Sequence, residues 1–141
     1  MAERKYRELI EQLKTAGLRP TRQRLALGRL LYGENGDMER HVTAEQLHAE
    51  AMASGVRVSL ATVYNTLHQF TEAKLLREVV VEPGRSYFDT NVDDHHHFYF
   101  EQSGRLQDIP SEELELKSMP EPPAGGRIRR VDVILRVDEE G

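Results

Sequence analysis

The stretch VSLATVYNTLHQF, residues 58–70, decides the fold. Ser59 is a helix-capping type, and Leu60, Val63, Leu67 and Phe70 recur at i, i+3, i+7 and i+10. That spacing predicts a helix with a single apolar stripe. A helix that enters the major groove of DNA needs this division: small hydrogen-bonding residues near its N-terminus and apolar anchors behind them. Ser59 and Thr62 are placed for phosphates or bases and Asn65 for an adenine edge, while Leu60, Val63 and Leu67 hold the helix down. Tyr64 directly follows Val63, and periodicity alone leaves it between a core position and a groove position.

Upstream, three further helices are expected. Tyr6, Leu9, Ile10 and Leu13 make one stripe, and Gly17 stops it. A second helix starts near Pro20-Thr21, carries Leu25, Leu27, Leu30 and Leu31, and ends before Gly33 and Gly36. Thr43 with Gln46 forms a capping-box pattern opening a third helix, whose apolar face is Ala44, Leu47 and Ala51 and which Gly55 ends. Downstream, Leu75–Val81 and Ser86–Asp89 flank Pro83-Gly84, a hairpin signal. Helices followed by a hairpin in this order predict a winged helix-turn-helix that binds double-stranded DNA. Arg19, Arg22 and Arg24 lie just before or early in the second helix, within reach of phosphate or a narrow minor groove. Residues 1–31 carry eight Lys/Arg against three Asp/Glu in a chain of net charge −5, so an anionic partner is expected at that end only.

After Asn91 the texture changes. Strands are expected at Phe98–Glu101 and Arg105–Ile109 around a Ser103-Gly104 turn, and a short helix at Ser111–Met119. A final strand is expected on the alternation of Ile128, Val131, Val133, Leu135 and Val137. Three strands and one helix are too little for a self-sufficient core, so a second copy of the chain should complete it. The fold class is therefore α+β: an N-terminal winged helix-turn-helix over 1–84, then a small α/β dimerisation domain over 85–141, the junction lying within 81–91.

The segment FDTNVDDHHHFYF, 88–100, is the most unusual in the chain. On a strand, His95 and His97 share one face and His96 takes the other, so the first two can chelate one ion. Asp89 and Asp108 are acidic candidates to complete a nitrogen and oxygen shell, and His41, at the start of the third helix, is either a further ligand or a capping or surface histidine. Ligands drawn from both halves would act as a clamp, favouring one arrangement of the domains. His48 and His68 have no acidic constellation and are taken as surface or core residues. With no cysteine, disulfides, thiolate metal sites and thiol nucleophiles are excluded, and iron, manganese or zinc are the ions expected. The N-terminus lacks an apolar signal region and no stretch reaches membrane-spanning length, which predicts a cytoplasmic protein.

Through GLRPTRQR (17–24), HVTAEQLHAE (41–50), VSLATVYNTLHQF (58–70), YFDTNVDDHHHF (87–98) and GRLQD (104–108), the sequence resembles the Fur (ferric uptake regulator) superfamily over nearly its whole length. The resemblance implies a homodimeric transcription regulator whose metal site falls on His41, Asp89, His95, His97 and Asp108. It also implies DNA contacts from Arg19 and from Tyr64, while Asn65 stands where many members carry Arg. The family's structural zinc usually rests on CxxC pairs; the first would fall at Phe100 and Ser103, so that zinc is not expected. A second metal site of some members matches His96 and Glu115, but its distal histidine aligns with Val131, leaving it incomplete.

The absence of cysteine, the histidine triplet and EPPAGGRIRRVDVILRV (121–137) resemble the Irr (iron response regulator) branch. That resemblance implies iron sensed through haem, with haem ligands among His95, His96 and His97, and DNA released when haem binds. The alternative is a Fur-like repressor in which Fe(II), Mn(II) or Zn(II) promotes DNA binding. A metal-dependent hydrolase is a remote alternative, since no HExxH-type helix is present, and no enzyme activity is expected. A haem carrier would leave the basic N-terminus and the winged-helix order unexplained.

Overall fold

The computed structural model describes residues 2–33 and 39–139, with side chains from residue 7 onward. Helix α1 (Ala2–Thr15) buries Leu9 and Leu13, and Gly17 follows it at φ +81°. The side chain of Tyr6, and Gly36 beyond the second helix, lie outside the described residues. Helix α2 (Arg22–Tyr32) is capped by Thr21, whose hydroxyl accepts from the Arg24 amide at 3.3 Å. Gly28 lets α1 approach α2: a Cβ there would stand 2.8 Å from Leu9 Cδ2. Helix α3 (Ala44–Ala53) opens on the expected capping box, with the Gln46 amide donating to Thr43 Oγ1 at 3.1 Å and the Thr43 amide to Gln46 Oε1 at 2.9 Å. Helix α4 (Leu60–Glu72) is capped by Ser59, as its sequence implies.

Leu27, Leu31, Leu47, Val63, Leu67 and Phe70 are fully buried and tie α2, α3 and α4 into one core. Leu60 departs from its expected anchoring role: it sits at the first position of α4, beyond the turn that packs, and is 37% exposed.

A strand that the sequence does not announce, β1 (His41–Val42), precedes α3. It pairs antiparallel with β3 (Arg85–Asp89), which pairs antiparallel with β2 (Arg77–Glu82), giving a three-stranded sheet in the order β1-β3-β2. His41 thus lies on a strand and not at the start of the third helix. The flanks of β1 explain its formation. The Arg40 amide donates to Thr90 Oγ1 at 3.0 Å, the Thr90 amide donates to the Arg40 carbonyl at 3.1 Å, and the Arg40 guanidinium forks onto Glu50 at 3.0 and 2.5 Å. Four helices and this sheet form a winged-helix unit. It runs to Val92, beyond the junction expected at 84/85, because β3 is held in the sheet by β1 and β2.

The second unit, Asp93–Gly141, contains β4 (His96–Phe100), antiparallel to β5 (Arg105–Ile109) and parallel to β6 (Ile134–Val137). On β4, His97 and Tyr99 are buried, while Leu106 and Ile109 are buried on β5. Leu116, Met119, Ile128 and Leu135 remain exposed. The helix expected at 111–119 is reduced to one 3₁₀ turn, Ser111–Glu113. Alternating Glu and Leu at 113–116 offer no helical face, and Pro120 disfavours helical backbone at Met119. The final strand is likewise shorter than expected: residues 127–133 have no regular structure, and pairing with β4 begins only at Ile134. The α+β class, a winged helix followed by a small α/β unit, is as expected.

Candidate functional site

Two His–Asp pairs stand out, one in each unit, and both arise from strand register. On β1 and β3, His41 lies directly opposite Asp89, with His41 Nε2 3.5 Å from Asp89 Oδ2. On β4 and β5, His97 lies directly opposite Asp108, with His97 Nε2 3.3 Å from Asp108 Oδ1. Directly opposed residues on antiparallel strands have Cβ atoms about 4.5–5.5 Å apart, so register alone brings an imidazole and a carboxylate together. The Asp89 side chain is 1% exposed and its Oδ1 accepts from the Asn91 amide at 2.9 Å, leaving Oδ2 turned to the histidine. Arg77, also buried, is the register partner of Asp89 on β2. The sequence reading missed it, although an arginine in phase with Val79 and Val81 on an alternating strand is the signal that could have found it.

His95 precedes β4 and joins the second pair. Its Nε2 is 3.4 Å from Asp108 Oδ1, and its ring centroid is 4.4 Å from that of His97. Its Nδ1 lies 2.6 Å from the Asp93 carbonyl oxygen. A carbonyl only accepts, so Nδ1 carries the hydrogen and donates, and Nε2 turns its lone pair toward the carboxylate. Such a carbonyl-oriented imidazole is the usual companion of metal ligation. Two histidines aimed at one carboxylate oxygen suit a cation among them, and imidazole with carboxylate suits iron, manganese or zinc. These residues therefore fit a divalent ion.

His96 points elsewhere, its Nδ1 accepting from the Val133 amide at 3.0 Å. A neutral ring so held carries its hydrogen on Nε2, which makes it a poor ligand. Glu115 is exposed on the irregular segment.

Of the residues expected at DNA, Arg19, Arg22, Ser59 and Asn65 are exposed, and Thr62 and Tyr64 are partly so. The Ser59 hydroxyl accepts from the Thr62 amide at 3.0 Å and donates to Thr62 Oγ1 at 2.9 Å, so capping already engages both side chains. Arg24 differs from its expected role. Its Nε and Nη2 donate to Gln69 Oε1 at 3.2 and 3.0 Å and its Nη1 to the Arg19 carbonyl at 3.0 Å, which ties α2 to α4. Tyr64 is half-buried against the edge of the core, and its hydroxyl donates to Glu45 Oε1 on α3 at 2.6 Å. That bond holds the Glu45 carboxyl below the ordinary carboxylate range and pushes the Tyr64 phenol up. His68 stacks on Tyr64 with centroids 6.3 Å apart and meets Phe88 edge-on at 5.6 Å. His48 donates from Nε2 to the Val58 carbonyl at 3.1 Å, bracing the loop before α4.

The sequence profile of the Ferric uptake regulator family matches residues 15–122. The chain belongs to this family. It is accordingly a metal-responsive transcriptional regulator. It is 31% identical over 112 residues, 79% of this chain and 73% of the other, to the peroxide-responsive repressor PerR of Staphylococcus aureus. Its fold is shared with the ferric uptake regulator of Pseudomonas aeruginosa with manganese, at a TM-score of 0.69 and 24% identity over 94% of this chain and 98% of that one. A zinc-bound manganese uptake regulator gives 0.66 and 23%, over 94% and 98% of the respective chains. Fur-family proteins bind DNA and act as dimers. No helix among the described residues is long and apolar enough to cross a membrane.

Proposed function

We propose that this chain is an iron-responsive regulator that binds operator DNA as a cytoplasmic homodimer. In this reading one Fe(II), Mn(II) or Zn(II) ion is shared by His41, Asp89, His97 and Asp108, with His95 beside them. The observation that carries it is the pair of His–Asp register partners, 3.5 and 3.3 Å apart. The ion would supply the positive charge that the two carboxylates and the imidazoles bind. The chain's own residues do the rest: β3 and β5 hold the carboxylates, the Asp93 carbonyl turns His95, and Arg19, Arg22, Ser59, Thr62, Tyr64 and Asn65 face DNA. Exposed Leu116, Met119, Ile128 and Leu135 support a homodimer, since burying them against a second copy would complete the smaller unit.

A second signal, haem, belongs to the same reading and to the Irr branch. His95 and His97, with rings 4.4 Å apart, are the ligands over which haem and the free ion would compete; His96, engaged by Val133, is not. The test is duplex binding by the purified protein without metal, with Mn(II), with Zn(II) and with haem, using a site selected from random duplexes. Binding strengthened by the ion and lost on adding haem is expected. An ion effect with no response to haem would reduce the protein to a Fur-like repressor, and no response to either would overturn the proposal.

A further inference from the structure

Asp89 has a neighbour on each side across the sheet. The register of β1, β3 and β2 puts His41 opposite it on one strand and Arg77 on the other, so the three residues share one row and one face. Arg77 alternates with the buried Val79 and Val81 on β2 and is itself only 4% exposed. Burying a guanidinium is costly unless an anion faces it, and the buried Asp89 carboxylate has the same need with the opposite sign. The matching row of the smaller unit holds no fixed cation: β6, β4 and β5 align Ile134, His97 and Asp108. The two rows therefore differ in one member, a permanent positive charge against an aliphatic side chain.

We propose that Arg77 is a positioning residue that detunes the ion site, because its guanidinium competes with the divalent ion for the Asp89 carboxylate. The inference rests on the reading of Asp89 as an ion ligand. Arginine stays charged throughout the physiological pH range, so the competitor is always present. It acts on both states of the site, and with the same sign. In the empty site Arg77 compensates the buried carboxylate and keeps it ready in the row beside His41. In the loaded site the same charge stands next to a dication and opposes it. An ion held too tightly cannot report its own concentration. Arg77 thus sets the concentration at which the site fills and keeps the ion releasable.

The test is equilibrium titration of Mn(II) into full-length wild type, Arg77→Met, Arg77→Gln, Arg77→Lys and Asp89→Ala, at pH 8 and one ionic strength. The two neutral variants should bind Mn(II) at least about tenfold more tightly than wild type, since a like charge is removed from beside the ion in a buried row. Arg77→Lys keeps the charge and loses only the fork, so its affinity should lie closer to wild type than to the neutral variants. Arg77→Gln retains side-chain donors and carries the comparison if Arg77→Met does not fold. A role confined to holding the strands together predicts the opposite sign, weaker binding in every Arg77 variant. That result, or unchanged affinity in the neutral variants, overturns the inference. Asp89→Ala separates this failure from that of the ion reading: if it binds Mn(II) as wild type does, Asp89 holds no ion and both fall. Chemical denaturation of the metal-free proteins gives a second readout. The loss in folding equilibrium constant caused by Asp89→Asn should be about tenfold smaller in the Arg77→Met background, because removing both partners leaves no buried charge uncompensated. Additive losses would show that the two side chains do not compensate each other, which also overturns the inference.

Discussion

The two His–Asp pairs use one device in opposite ways. In both, an imidazole and a carboxylate face each other across antiparallel strands, His41 against Asp89 and His97 against Asp108. In the winged-helix unit the carboxylate is the buried member, 1% exposed, and the histidine side chain is 20% exposed. In the smaller unit the order is reversed: the His97 side chain is 3% exposed and that of Asp108 is 37% exposed. A buried carboxylate is costly unless hydrogen bonds and nearby positive charge satisfy it, whereas a buried neutral imidazole is inexpensive. The first pair is therefore part of the fold of its unit, and the second is an open arm that folding alone does not depend on.

The largest expected effect is on ion affinity. Replacing any one of His41, Asp89, His97 or Asp108 by Ala should weaken Mn(II) binding by at least about 100-fold, since even outer partners of metal ligands are worth roughly 10–100-fold. Equilibrium titration measures this, and one replacement without effect removes that residue from the site. Next comes the asymmetry in stability. Asp89→Asn should lower the metal-free stability by about 1–3 kcal/mol, because a buried acceptor beside His41 and the Asn91 amide is altered. Asp108→Asn, on a half-exposed carboxylate, should stay within about 0.5 kcal/mol. Equal losses in chemical denaturation would break the contrast between the pairs. A smaller effect, about 1 kcal/mol, is expected for Thr43→Ala, which removes the capping box directly after β1. If the strand and the cap act together, the same variant should speed hydrogen exchange at the Thr90 amide, whose partner is the Arg40 carbonyl.

Much of this was readable because it depends on local chemistry. The Thr21, Thr43 and Ser59 caps, the Gly17 and Gly55 helix ends and the Pro83-Gly84 turn are each decided by two or three residues. The histidines at 95 and 97 fall on one face for the same reason, a strand period of two. What stayed hidden depends on distant partners. Two residues cannot display an alternation, so β1 is invisible until Arg40 and Thr90 fix it, and with it goes the placement of His41. Nothing local distinguishes Arg24, turned inward to Gln69, from Arg19 and Arg22, which stay exposed. Glu45 reads as an ordinary helix-surface residue, and only tertiary packing brings the Tyr64 hydroxyl to it. Scattered aliphatic residues suggest a helix up to Met119 and a strand from Ile128, but the charges between them and Pro120 leave 114–119 and 127–133 irregular.

The central claim is that the two pairs serve a single ion. It is tested most directly by calorimetric titration of Mn(II) into wild type, His41→Ala, His97→Ala and the double variant. The account predicts one Mn(II) per chain in wild type, a comparable large loss in each single variant, and a double variant no worse than either single one by more than a few-fold. Two ions per chain in wild type, or unchanged Mn(II) affinity in His41→Ala, would contradict it.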